Sequence, residues 1–186
     1  MQYLTPTLWR TCRVLSGMVR IRLLRQLLEH PERSVSEHAQ AARISCSDAS
    51  QELRRLQSRG LLQSARRGAF VIYRLGADPQ VKSAAPLLKA LESALTAFPP
   101  EQDAEICRIA FGLAYPRRIA IAQALQAGPQ ADSQLALALR LPSFAVFNHL
   151  RILQKCGYVK REHHRAHFSL PDHPLAKALV RLIPVP

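Results

Sequence analysis

Residues 44–75 read ISCSDASQELRRLQSRGLLQSARRGAFVIYRL, and residues 141–170 read LPSFAVFNHLRILQKCGYVKREHHRAHFSL. Three positions align at an offset of 97 residues: Leu53, Leu56 and Gly60 with Leu150, Leu153 and Gly157. Each stretch predicts a helix that ends at a glycine, then a strand, a basic turn and a second strand. This is the order of a helix-turn-helix followed by a wing, and it occurs twice. Because a repeat constrains the whole architecture, it is the strongest signal in the chain.

The flanking sequence predicts more helices around each repeat. Ser34-Val35-Ser36-Glu37 is a capping box that opens a short helix. Ser45, with Asp48 three residues later, starts the next one. Further helices are predicted at about 8–18, 81–98, 101–113 and 175–183. Two prolines follow Phe98 and mark the best boundary. The predicted domains are therefore 1–98 and 99–186, each a winged-helix repeat.

The charge of the chain favours a nucleic-acid partner. The 186 residues include 26 Lys+Arg and 13 Asp+Glu, for a formal net charge of +13. Residues 1–98 carry 15 basic and 7 acidic side chains, and residues 99–186 carry 11 and 6. The excess is thus shared by both repeats, which favours two folded basic units over a disordered arm. A basic solvated surface and an anionic membrane are the alternatives that charge alone leaves open.

The sequence also predicts where the protein acts. No apolar run approaches the ~20 residues that span a bilayer, so we expect no membrane association. The N-terminus lacks the order of a signal peptide. The four cysteines are far apart and form no CxxC pair, which indicates a reduced compartment. We expect a cytoplasmic, nucleoid-associated protein.

The repeats resemble ArsR-type winged-helix repressors. The pattern is a serine-rich helix start, leucines three residues apart, a glycine, a basic hairpin and an aromatic residue before a final leucine. Repeat 1 carries it at Ile44, Ser45, Ser47, Ser50, Leu53, Leu56, Gly60, Leu61, Leu62, Tyr73 and Leu75. Repeat 2 carries it at Leu141, Ser143, Val146, His149, Leu150, Leu153, Gly157, Tyr158, Val159, Phe168 and Leu170. The stretch Leu113–Ile119 is similar to the opening of the family's helix-turn-helix. The expected fold class is mainly α with small β-wings (α+β), as two tandem winged helix-turn-helix domains.

The resemblance implies an unusual assembly. Family members usually pair two copies of one such domain through the helices before and after the winged helix. Here one chain carries both halves, which implies a fused pseudo-dimer whose recognition helices lie about one DNA turn, ~34 Å, apart. The family's thiolate metal motif is missing, because residues 35–38 and 133–136 contain no cysteine. We therefore predict no metal and no cofactor.

The outward faces of the two recognition helices are the candidate base readers. Gln suits adenine, Arg suits guanine or phosphate, and Ser suits either. The candidates in repeat 1 are Ser47, Asp48, Ser50, Gln51, Arg54 and Arg55, and those in repeat 2 are Ser143, Phe144, Phe147, Asn148, His149 and Arg151. The plain alternative is an ordinary amphipathic helix. Phe144 and Phe147 stand where the family usually has polar residues: either they contact thymine methyl groups, or this face docks on protein.

The turns of the two hairpins are the candidate phosphate or minor-groove contacts. They carry Arg66 and Arg67 in repeat 1, and Arg161, His163, His164, Arg165 and His167 in repeat 2. The histidine cluster could hold a metal ion, but hairpin spacing does not align ligands as a helix does. Solvated wing histidines are the favoured interpretation.

Three cysteines are candidate redox thiols. Cys12 and Cys107 lie in corresponding opening helices and could form a redox pair, with buried free cysteines as the favoured alternative. Cys46 lies at a helix N-terminus, which stabilises a thiolate, and is the better candidate for a lone reactive thiol.

These features together predict a sequence-specific regulator that binds double-stranded DNA and acts as a repressor by the resemblance. It has no recognisable catalytic motif, so we do not expect an enzyme. The partners are double-stranded DNA and a candidate small-molecule or redox effector, and the protein is a monomeric pseudo-dimer or a homodimer. The alternatives are an adaptor of a chromosome-organising or similar complex, and a plasmid or phage replication initiator.

Overall fold

The computed structural model describes residues 7–184 and divides into two compact units. Among the described residues, unit 1 comprises residue 7 and residues 17–107, and unit 2 comprises residues 8–16 and 108–184. Both units are mainly helical, and each contains one two-stranded antiparallel sheet. The expected class, mainly α with small β-wings, is confirmed. The predicted domain division after residue 98 stays a prediction.

Unit 1 places three helices before its hairpin. Its elements in order are α2 (Met18–Glu29), α3 (Val35–Ala42), α4 (Cys46–Gln57), β1 (Leu62–Arg67), β2 (Phe70–Leu75), α5 (Ala84–Ala97), a 3-10 turn (Pro100–Gln102) and the start of α6 (Asp103–Gly112). The long predicted helix begins at Ala84 instead of residue 81, since Val81 belongs to a turn in which Ala84 N–H bonds its carbonyl.

Unit 2 has the same sequence of short helices and hairpin. It contains α1 (Leu8–Leu15), the end of α6, α7 (Pro116–Gln126), α8 (Asp132–Ala138), α9 (Ser143–Lys155), β3 (Val159–Glu162), β4 (Arg165–Phe168) and α10 (Pro174–Arg181). Helix α1 was predicted to reach residue 18, but it ends at Leu15, and Gly17 caps the following helix in extended backbone.

The predicted caps of α3 and α4 are confirmed. Ser34 Oγ accepts from Glu37 N–H, while the Glu37 carboxylate accepts from Ser34 N–H at 2.7 Å. Ser45 Oγ accepts from Asp48 N–H at 3.0 Å and donates to the Asp48 carboxylate at 2.7 Å. These bonds satisfy amide groups that the first helical turn leaves without partners. They fix the residue at which each helix begins.

Glycine ends both recognition-helix candidates, as the sequence predicts. Gly60 and Gly157 have positive φ angles of 74° and 84°, a backbone region that side chains with a Cβ disfavour. At Gly60 a Cβ would also lie 2.9 Å from the Cβ of Val81. Each glycine therefore turns the chain from the helix into the first strand of the hairpin.

Each hairpin is short and closely paired. In unit 1, Leu62 pairs with Leu75 and Arg67 pairs with Phe70, so the turn is only Gly68-Ala69. The sequence placed Arg66 and Arg67 in that turn; this was wrong, because both lie in β1 and their side chains point to opposite faces of the strand. In unit 2, Glu162 pairs with Arg165 around a turn of two histidines.

A buried ion pair lies at the C-terminal end of α5 in unit 1. Arg25 Nη2 lies 2.6 Å from Asp103 Oδ1, and both side chains are nearly inaccessible to solvent. The same guanidinium donates to the carbonyls of Leu95 at 2.7 Å and Phe98 at 3.1 Å. These are carbonyl groups at and just beyond the end of α5, which have no partner within the helix. Arg25 thus satisfies them and fixes the chain before the two prolines.

One histidine lies in the core of unit 1 without a polar partner. His38 on α3 is 1% exposed, and neither ring nitrogen has a hydrogen bond within the described residues. Burial lowers its pKa, and the nearby Arg33 and His30 lower it further, while Glu37 and Glu32 oppose the shift. The ring is therefore neutral when the protein is folded at pH 7.

We predict that His38→Leu is neutral or stabilising at pH 7, by up to about 1–3 kcal/mol, because it removes buried polar atoms that have no partner. It should also flatten the loss of stability on acidification. A histidine whose pKa is lower in the folded state binds its proton more readily when unfolded, so stability is lost as the pH falls below about 6.5. Urea unfolding at pH 7 and pH 5 measures both effects. Equal acid losses in the variant and the wild type would contradict the prediction.

Candidate nucleic-acid interface

Burial of the apolar face of α4 determines which of its side chains face solvent. Ala49, Leu53 and Leu56 are completely buried in unit 1. Their spacing of three and four residues places them on one side of the helix. The remaining face is polar: Ser47, Asp48, Gln51, Arg54 and Arg55 are exposed, and Ser50 is half-buried.

Two of these polar side chains are engaged within unit 1. Asp48 accepts from Ser45 as part of the helix cap, and Arg55 forms an ion pair with Glu52. Gln51 and Arg54 have no side-chain partner among the described residues. Ser47 is likewise exposed and without a side-chain partner there, so Gln51 and Arg54 are the two longest side chains of the predicted face that are exposed and free to bind a ligand.

The hairpin of unit 1 adds exposed cations and an aromatic residue. Arg66 and Arg67 are exposed. Phe70, which pairs with Arg67 across the turn, is 62% exposed. Phe70 is not among the candidates predicted from the sequence, although a phenylalanine directly after a Gly-Ala turn indicates an exposed aromatic ring at the tip of a hairpin. An aromatic residue at the tip of a basic hairpin is a candidate contact to sugars or bases.

The outward face of α9 is apolar at its start. Phe144 is 72% exposed and Phe147 is 53% exposed. Ser143, Asn148 and Arg151 are exposed with them. The inward positions Val146, Leu150 and Leu153 are completely buried. Five of the six residues predicted for this face are thus exposed.

The sixth residue, His149, differs from the expectation. Its ring stacks on Tyr115, with 5.3 Å between the ring centroids, and its Nδ1 atom is buried without a hydrogen-bond partner. Burial lowers its pKa, and the charges of Arg118 and Arg117 add to that effect. The side chain is half-buried and packs towards the residues before and at the start of α7, so it is less exposed than the sequence predicts, while its role in DNA binding stays a prediction.

Each unit has an arginine close to its recognition-helix candidate, but the partners differ. In unit 1, Arg20 on α2 forms an ion pair with Glu52 on α4. At the offset of 97 residues, the residue that corresponds to Glu52 is His149. Arg20 and Arg118 occupy corresponding places, since each is followed by an isoleucine in its helix.

Without a carboxylate, Arg118 is held by aromatic rings. It is 5% exposed, its Nη2 donates to the Phe111 carbonyl at 2.7 Å, and its guanidinium carbon lies 4.6 Å from the Phe111 ring centroid and 5.9 Å from that of Tyr115. Its Nε atom is buried without a partner. Burial also lowers its pKa. Among its described residues, unit 2 therefore contains a buried cation without a carboxylate partner.

Fewer side chains of the unit 2 hairpin are exposed and unpaired than the sequence predicts. Arg161 Nη2 lies 2.7 Å from Asp132 Oδ2 at the start of α8, so this candidate is already paired. His163 and His164, which form the turn, both have positive φ angles. His164 and Arg165 are exposed, whereas His167 is half-buried. No group of three or more His, Cys, Asp or Glu residues that could hold a metal ion occurs within residues 7–184.

The candidate thiols have different environments. Cys12 is buried, and its burial raises its pKa. Cys107 is half-buried, and burial together with the charge of Asp103 raises its pKa to about 11. Both are therefore thiols at neutral pH, a form that reacts slowly with oxidants. Cys46, the first residue of α4, is exposed. The prediction that oxidation joins Cys12 to Cys107 stays a prediction.

Comparison with known proteins gives one match. Residues 115–161, from just before α7 into β3, match the family model of bacterial regulatory proteins of the arsR family. This supports an ArsR-type winged helix-turn-helix in that segment, and with it DNA binding in transcription regulation. No curated protein and no solved structure gives a significant match. No helix in the described part of the chain is long and apolar enough to cross a membrane.

We predict that His149→Glu stabilises unit 2 at pH 7 by about 1–2 kcal/mol, because a carboxylate beside Arg118 would restore the pairing that Glu52 provides for Arg20. Position 149 is half-buried, which limits the gain through solvent screening.

His149→Gln is the matched control, since it supplies a polar side chain without charge. Thermal unfolding followed by circular dichroism compares the three proteins. A midpoint for the glutamate variant no higher than that of the glutamine variant would contradict the prediction.

Proposed function

We propose that this protein is a sequence-specific, double-stranded-DNA-binding transcriptional regulator that uses both units. In this proposal α4 and α9 are recognition helices, and the two hairpins are wings that contact the phosphate backbone. The observation that carries the proposal is the free, exposed pair Gln51 and Arg54 on α4, next to a hairpin that displays Arg66 and Arg67. The arsR-family match at residues 115–161 supports the same role for unit 2.

The charges support a polyanionic partner over a protein adaptor role. The chain carries twice as many Lys and Arg residues as Asp and Glu residues. In unit 1, the acidic groups of α4 are used inside the unit, Asp48 in the cap and Glu52 on two arginines. The side chains of α4 that remain available to a ligand are therefore polar or cationic. Such a surface attracts phosphates and presents donors to base edges.

A repressor role follows from the resemblance to ArsR-type repressors. In that role the protein binds near a promoter and excludes the transcription machinery until an effector releases it. We infer a small-molecule or redox effector on the same ground, and an intracellular, DNA-associated location. Footprinting on the DNA upstream of the protein's own reading frame tests this. A protected segment that overlaps a promoter supports repression, and protection of repeated origin sites instead supports a replication initiator.

Binding should weaken steeply as salt is added, because each neutralised phosphate releases counterions. We predict that Arg67→Ala weakens binding to all duplexes about equally and reduces the slope of log affinity against log salt by about one. Fluorescence anisotropy with labelled duplexes measures this.

Lys89→Ala on α5 is the control, because it removes one exposed charge outside the proposed interface. A slope near zero for the wild type would exclude the proposed function. An equal change in both variants would show that Arg67 contributes only to the net charge.

Gln51→Ala should affect one half of the target only. The loss of a bidentate contact to adenine costs about 1–3 kcal/mol of discrimination at that base pair and leaves other positions unchanged. Asn148→Ala on α9 is its counterpart and should relax preference in the other half.

Site selection from randomised duplexes, repeated with each variant, checks this prediction. Because the faces of α4 and α9 differ, the selected site should not be a good palindrome. A perfect inverted repeat, read equally by both halves, would show that these side chains are not the readers.

A further inference from the structure

The outward faces of α4 and α9 differ at corresponding positions. The offset of 97 residues relates Ser47, Ser50, Gln51 and Arg54 to Phe144, Phe147, Asn148 and Arg151. The last two pairs keep their chemical character, amide for amide and guanidinium for guanidinium. The first two replace a hydroxyl group with a phenyl ring. Among these four pairs, the change in chemical character lies at the two positions nearest the start of the helix.

The two phenylalanines are largely exposed in unit 2, unlike the apolar residues on the opposite side of α9. They are 72% and 53% exposed, whereas Val146, Leu150 and Leu153 are completely buried on the opposite side of α9. Because residues three apart lie side by side on a helix, Phe144 and Phe147 form one apolar area. Stability does not account for two large exposed rings, so a ligand that covers them is the better explanation.

The charges around this area fit a polyanion. Helix α9 contains no acidic residue, whereas α4 contains Asp48 and Glu52. Arg151 is exposed on the same face as Phe147, one helical turn later. Arg165 of the hairpin is also exposed. An apolar area with cations and no carboxylate on its helix is complementary to an apolar group within a field of phosphates.

The major groove of DNA offers such a group. The C5 methyl of thymine is the apolar feature of base edges there, and aromatic side chains can contact it. We propose that Phe144 and Phe147 contact thymine methyl groups, so that α9 selects thymine at the positions it covers. Asn148, on the same face, pairs with an adenine. This inference rests on the proposed function, because it requires α9 to enter the major groove.

The experiment begins with a duplex selected from a randomised pool by the full-length protein. Deoxyuridine then replaces thymidine in one half-site at a time, which removes only the methyl group. The dissociation constant should rise about fourfold for each methyl group lost from the half-site that α9 covers. The same replacement in the other half-site should change it little, because Ser47 and Ser50 face that half.

A double variant identifies the side chains responsible. Phe144→Ser with Phe147→Ser gives α9 the residues of α4 at these positions, and their exposure means that the fold should persist, as circular dichroism can verify. This variant should bind the thymidine duplex more weakly than the wild type does. It should also bind the thymidine and deoxyuridine duplexes equally.

The outcomes separate this inference from the proposed function. If no duplex is enriched and binding does not depend on salt, both are overturned. If a duplex is enriched but deoxyuridine is tolerated in both half-sites, only the inference fails. The inference also fails if the double variant keeps its sensitivity to the methyl group. Unchanged DNA affinity in the double variant would reassign the apolar area to a protein partner.

Discussion

The burial of one apolar stripe on each recognition-helix candidate is the constraint on which the proposed interface depends. Leu53 and Leu56 in unit 1, and Leu150 and Leu153 in unit 2, are completely buried. Exposing even one such side chain costs about 1.5–3 kcal/mol, a large share of the stability of a small domain. The rotation of each helix about its axis is therefore fixed. The side chains that face outward follow from it and not from their own interactions.

The two units differ in how they accommodate the charge of the arginine that lies beside the recognition-helix candidate. Arg20 pairs with Glu52, so the α2–α4 contact in unit 1 combines apolar packing with a neutralised cation. In unit 2, Arg118 is stacked on aromatic rings beside a neutral histidine. A buried cation without a counterion costs free energy. The contact between α7 and α9 consequently relies more on packing, and a ligand or substitution that supplies negative charge there would strengthen it.

The sequence predicted the elements better than their contacts. Caps at Ser34 and Ser45 and the stop at Gly60 were predictable, because each depends on local backbone chemistry. The fold class followed from helical spacing combined with turn signals. Most of the proposed face is exposed, whereas His149 is half-buried. The stacking of that ring on Tyr115 joins residues 34 positions apart, and no local rule contains it.

The same limit applies to charged side chains. Arg161 and Arg55 were predicted as DNA contacts because they are basic and lie at a hairpin or on an outward face. The structure pairs the first with Asp132 and the second with Glu52. Exposed pairs of this kind contribute little to stability, so a phosphate could replace the carboxylate at small cost. Such an ion pair would therefore reduce the contribution of an arginine to DNA affinity, but it leaves the residue available to the proposed interface.

Under the proposed function, the separation between buried stripe and outward face would allow two units with a similar order of elements to bind different base sequences. Ser47 and its counterpart Phe144 are both exposed, so the difference between them falls outside the buried stripe. Substitution at such positions is close to neutral for stability. The inner leucines, in contrast, cannot change without a cavity or a clash. Differences between the two helices are therefore expected at the outward positions first, as Ser47 and Ser50 against Phe144 and Phe147 illustrate.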